Sequence, residues 1–161
     1  MKTSTNPPAA TQGTDAGKKI VGRKRGIVTD TLGIILAVCV CAANISDTAI
    51  GAHLLDQARA DYPTISKAWA DSGFRAGTVE RGAELGIDVE VVPRASDIPG
   101  FHVVKRRWVV ERSLGWLMFH RRLARDYETL PASSEAMIQI AMIDNLAKRV
   151  TDETTPTWRG A

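Results

Sequence analysis

Asp71 and Glu111 are the two residues whose settings bear most directly on chemistry. Asp71 lies in the run WADSGF, after an apolar stretch and immediately before a small-residue turn. A carboxylate in that place is where open α/β sheets expose ligating groups. The plainer role is a cap on the following turn through a side-chain oxygen. Glu111 lies in RRWVVERSLGWL, with Arg107 four residues before it. On a helix the two share a face, and an exposed pair of this kind is worth only about a few tenths of a kcal/mol. Gly115 follows on the same face and leaves room for close approach, and Trp108 and Trp116 flank the acid in an otherwise basic segment.

The basic residues fall into two groups. One comprises Lys18, Lys19, Arg23, Lys24 and Arg25; the other runs through Lys105, Arg106, Arg107, Arg112, Arg121, Arg122 and Arg125. The net charge of +3 is modest, but the sequence pI is about 9.1, and nucleic-acid binding depends on such local clusters more than on the total. Lys18, Lys19, Arg23, Lys24, Arg25, Arg106, Arg112, Arg121 and Arg122 are therefore the expected DNA-binding residues, with a solvated basic face as the alternative. His53, His102 and His120 are scattered without the spacing of metal ligands.

The elements that must position these groups follow from pattern. With 161 residues and 44% hydrophobic content, the chain suits one domain with a real core. Residues 1–17 are rich in Thr, Pro, Ala and Gly and read as a flexible segment, residues 18–150 as the domain, and residues 151–161 as a flexible tail. Val21 to Thr29 and Ile34 to Ala42 read as antiparallel strands joined at Asp30 to Gly33. Asp47 to Tyr62 has helical spacing and stops at Pro63. Ser66 to Ala70 reads as a strand delivering Asp71, Thr78 to Leu85 as a helix ended by Gly86, and Ile87 to Val92 as a further strand. Lys105 to Asp126 is the longest helix expected, and Ser134 to Val150, apolar on most sides, is expected to be well buried. The sum is an α/β domain with an antiparallel pair and a parallel portion.

The apolar run from Leu32 to Ala43 is about a dozen residues, short of the roughly 20 a spanning helix needs, so no membrane association is expected. There is no secretory leader pattern. Cys39 and Cys41 sit two apart on one strand face without a distant partner. A cytoplasmic location fits.

Taken together and in order, WADSGF, VVPRASDIPGFHVVKRRWVVERSLGWLMFHRRLARDYE and SSEAMIQIAMI resemble the DDE-class transposases of bacterial insertion sequences; the upstream run KKIVGRKRGIVTDTLGIILAV looks like the strands that precede them. The resemblance implies a ribonuclease H-like mixed sheet flanked by helices, here missing its first strand. It also implies three carboxylates that hold two divalent ions, Mg2+ or Mn2+, with Asp71 as the second acid and Glu111 as the third. The first acid of that family falls on a strand shortly before the Lys-Thr seen here as Lys2 and Thr3, hence upstream of Met1. The two-metal site is expected only with that missing Asp. Of the family's Tyr-Arg-Glu-Lys pattern, Arg107 and Glu111 match, whereas Val104 stands at the Tyr position and Met118 at the Lys position.

By that resemblance Asp71, Glu111 and Arg107 are the expected catalytic residues. Arg107 contacts a phosphate or holds Glu111. Two ions would activate water, neutralise the transition state and stabilise the leaving oxygen, and the freed 3′-hydroxyl would attack target DNA. The expected partners are insertion-sequence ends, target DNA and a homo-oligomer. The competing reading is a truncated, inactive remnant that binds DNA or intact transposase; a different nuclease of the same fold is a third.

Overall fold

The computed structural model of the chain describes residues 7–92 and 107–153. Its centre is a hairpin of β2 (Ile20–Thr29) and β3 (Ile35–Ala42), paired antiparallel from Arg23 opposite Ala42 to Thr29 opposite Ile35, with a register irregularity at Val28/Thr29. The turn is built by Asp30, whose carboxylate accepts the amides of Leu32 and Ile34, and by Gly33 at φ +86°, a conformation in which only glycine avoids strain. β-branched and apolar residues alternate on β3 with period two. Val38 and Val40 face one side, Ala37 and Cys39 the other.

Each face has its own helical cover. Helix α1 (Asp47–Asp61) starts at Ser46, whose hydroxyl accepts the Ala49 amide as an N-cap. Its Ile50, Leu54 and Ala58 pack on Ala37 and Cys39. Gly26 lets it approach, since a Cβ there would lie 2.6 Å from the Ile50 side chain. On the opposite face Ile138 and Ala141 of α5 (Pro131–Val150) join Leu117 and Leu123 against Val38 and Val40.

Beyond α1 the chain forms β4 (Lys67–Asp71), α2 (Ala76–Glu84) and β5 (Asp88–Val92), with β4 and β5 parallel from Lys67 opposite Asp88 to Asp71 opposite Val92. Leu55 of α1 packs with Ile87 and Val89, so one helix underlies both strand pairs. Among the described residues no ladder joins them: β1 (Gly13–Asp15), β2 and β3 form one sheet, β4 and β5 another. This mixed α/β arrangement agrees in class with the expected fold.

Three expectations meet a different outcome. The long helix from Lys105 to Asp126 is instead α3 (Arg107–Leu117) and a short α4 (Arg121–Ala124). Tight bonds from Met118, Phe119 and His120 amides to the carbonyls three residues before close α3. Leu117 and Leu123 are six apart, which on one continuous helix would place them on different faces; the break lets both enter the core. Helix α5 begins at Pro131, in its first turn, and is buried on one face only. Part of the stretch 1–17 forms structure: Gly13–Asp15 pairs with β2 from Gly13 opposite Gly22 to Asp15 opposite Ile20. Asp15 closes this corner by accepting the amides of Gly17 and Lys18. No helix among the described residues is long and apolar enough to cross a membrane.

Candidate functional site

Asp71 is the last residue of β4, opposite Val92 at the end of β5, and is half-buried. Its carbonyl accepts the Phe74 amide at 2.8 Å, which turns the chain towards α2, and the Ser72 hydroxyl donates to Oδ1 at 3.1 Å. The turn lies close to the start of α1. A Cβ on Gly73 would sit 2.8 Å from Oδ2 of Asp47. Asp47 in turn accepts Nζ of Lys24 at 2.9 Å, and the same ammonium lies 4.0 Å from Asp15. A Lys24–Asp47 pair therefore stands beside the turn that follows Asp71. Sequence reading missed Asp47, and its only signal was a position in the first turn of a helix, where an acid complements the helix dipole anyway.

Glu111 lies on α3 with its side chain exposed. What fixes α3 is the β2–β3 turn. Ser113, fully buried, donates to the Gly33 carbonyl at 2.7 Å and Arg112 donates to the Leu32 carbonyl at 3.0 Å. The guanidinium of Arg112 also lies over the Trp116 ring at 4.9 Å, and that of Arg149 lies over the same ring at 4.4 Å. Cation and ring attract through the ring quadrupole, so Trp116 ties α3 to the end of α5.

The basic residues divide by environment. Arg23, Lys24 and Arg25, expected at a DNA surface, point inward because β2 is a covered strand. Arg23 is 1% exposed, pairs with Asp126 at 3.3 Å and donates to the carbonyls of Glu128 and Thr129. Arg25 donates to the Leu123 carbonyl at 2.7 Å, and burial lowers the pKa of its guanidinium. These arginines satisfy carbonyls of α4 and of the irregular segment that follows it. Lys18, Lys19, Arg121 and Arg122 are exposed, Lys18 lying 3.8 Å from Asp15 and Arg122 paired with Glu128 at 2.7 Å. Arg106 lies outside the described residues, and of Arg107 only the backbone, in the first turn of α3, is described.

The chain thus presents one acid at a strand end and a second on a helix docked to the neighbouring hairpin. A family model described as the transposase DDE domain matches residues 1–146. The chain belongs to that family. It is also 30% identical over 142 residues to a protein of Burkholderia cepacia named as a transposase for insertion sequence element IS402, an alignment covering 79% of this chain and 60% of that protein. The chain spans about 60% of the length of the curated relative it matches.

Members of the DDE transposase family generally use divalent metal. Among the described residues no three His, Cys, Asp or Glu side chains gather as ligands.

Proposed function

We propose that this chain carries two of the three carboxylates of a transposase centre, Asp71 and Glu111. It would act in cleavage and strand transfer of an insertion sequence once a strand from outside the described residues brings the third. The observation that carries this reading is the divided sheet. Helix α1 packs on both strand pairs, yet β2 and β4 have no ladder between them. A strand inserted there would lie beside β4, whose last residue is Asp71. An acid on that strand could then approach Asp71. The completed set would be hard oxygen donors suited to Mg2+ or Mn2+, which would supply charge neutralisation at the phosphorus.

DNA is the proposed partner, both element ends and target. Its contacts are Lys18, Lys19, Arg121 and Arg122, which are exposed, together with Arg106, Arg107 and the partly covered Arg112. Phosphate contacts of this kind make affinity fall steeply with salt. A cytoplasmic site of action fits this partner.

The second reading is an inactive remnant that binds DNA or intact transposase; the lack of a three-ligand group among the described residues fits both readings. The two separate in one experiment on DNA bearing the element's ends, in Mg2+. The chain alone is expected not to nick it; the chain extended at its N-terminus by the in-frame or frame-shifted upstream strand is expected to nick and join, and Asp71→Asn to abolish both. An extended chain that stays inert supports the remnant. Activity indifferent to Asp71→Asn defeats the site assignment.

A further inference from the structure

Both cysteines of the chain stand next to each other on β3. Two residues apart on a strand, Cys39 and Cys41 point to the same face, the one that α1 covers. Their surroundings differ. Cys39 is buried among Ala37, Ile50, Leu54 and Ala58, and its partner across the ladder is Gly26, which has no side chain to set against it. Cys41 is half-buried and lies opposite Lys24. The Lys24 ammonium is held at that end of the sheet by the Ile45 carbonyl at 3.2 Å and by Asp47 at 2.9 Å. The two thiols also hydrogen-bond to each other, in the sense that favours loss of the proton from Cys41.

A thiol is a nucleophile only as its thiolate, and here the two are unequal. The bond from Cys39 lowers the Cys41 thiol below its ordinary range, and the Lys24 ammonium adds to the effect against burial and the carboxylates of Glu135 and Asp47. Cys39 is pushed up, first by the same bond and then by burial. A thiol that ionises and meets solvent, beside a buried one that stays protonated, is the arrangement in which the first captures an oxidant and the second resolves the product. Strand geometry sets how durable that product is. At about 3.3 Å of rise per residue the two Cα atoms are about 6.7 Å apart, the upper end of the roughly 4.4–6.8 Å that a disulfide spans. A bridge here closes under strain, and strained bridges are the readily reduced ones.

We propose that Cys39 and Cys41 form a reversible oxidation site, at which a hydroperoxide converts the two thiols into a disulfide within the strand. The Cys41 thiolate attacks a peroxide oxygen, so that an S–O bond forms as the O–O bond breaks. The alkoxide or hydroxide that leaves takes up the proton Cys41 released and becomes an alcohol or water. The Cys39 sulfur then attacks the sulfenic acid on Cys41; the S–S bond forms, the S–O bond breaks, and the Cys39 proton departs with the hydroxyl as water. The two thiols lose two electrons and the peroxide gains them. The plainer role, a pair of small residues filling a strand face, predicts no such reaction. Neither Asp71 nor Glu111 takes part, so the site stands or falls apart from the reading above.

Hydrogen peroxide added in slight excess to the whole reduced chain is expected to remove two hydrogens from a species that stays at 17.5 kDa. Reduced glutathione should then restore both thiols. With Cys39→Ser the sulfenic acid on Cys41 should persist and be trapped by dimedone, whereas Cys41→Ser should leave Cys39 unlabelled, both variants keeping the circular dichroism spectrum of the parent. Brief alkylation of the unmodified chain by iodoacetamide, located by peptide fragmentation, needs no substitution and should label Cys41 several-fold faster than Cys39. Equal labelling overturns the proposal. So does a disulfide found only between chains, a bridge that glutathione leaves intact, or a dimedone adduct on Cys39 in place of Cys41.

Discussion

At the scale of single residues, the Arg23–Asp126 pair illustrates why charge alone misleads in a sequence. Lys18 to Arg25 reads as one basic patch, but strand geometry points successive side chains to opposite faces, and β2 is covered. Lys18 and Lys19, ahead of β2, remain outside. Nothing in the local sequence marks Arg23 as interior, because its partner lies 103 residues away. Removing one member of a buried pair leaves the other uncompensated, at a cost of about 3–5 kcal/mol. Asp126→Asn is expected to lower unfolding stability by that order, read from the midpoint of a urea titration with the slope unchanged. Asp71 was easier to place, since an acid after an apolar strand and before Ser-Gly has few other positions available. The helical setting of Glu111 was equally legible.

At the scale of elements, the strands and α1 were legible because each has a strong period and a clear stop: Asp30 to Gly33, the Ser46 cap, Pro63, Gly86. The break between α3 and α4 was not. It has no proline or glycine at Met118 to His120, and is imposed by the need of both Leu117 and Leu123 to enter one core. The outer stripe of α5 was visible as apolar content, but burial was the wrong consequence to draw from it. The docking of α3 on the hairpin turn yields a direct prediction. A methyl at Gly33 would sit 2.7 Å from the Ser113 hydroxyl on a backbone at φ +86°. Gly33→Ala is therefore expected to lose about 1–3 kcal/mol through overpacking and strain. Trp116 lies 3.0 Å from the same point, so its fluorescence should shift with the substitution. A neutral effect on both would mean that the turn does not hold the helix bearing Glu111.

At the scale of the whole molecule, stability should depend on acid through the corner that ties β1 to β2. Asp15 is held below the usual carboxylate range, first by the Lys18 amide and then by the Lys24 and Lys18 ammonium groups, against the opposing effect of burial. A depressed folded value contributes stability at neutral pH and loses it as pH falls through that value. Asp15→Asn is expected to lower the melting temperature at pH 7 and to converge with the parent chain in acid; parallel curves at both pH values would remove Asp15 from the account. The architecture as a class was readable from the order of elements, whereas the division into two sheets under one helix depends on pairings that no local pattern encodes. The long reach of Arg23 to Asp126 also sets an order of events during synthesis. Until residue 126 has left the ribosome, the guanidinium has no counter-charge and the hairpin cannot close over it. Folding must therefore wait for most of the chain to be made, and the nascent hairpin would present its apolar faces to chaperones throughout that interval.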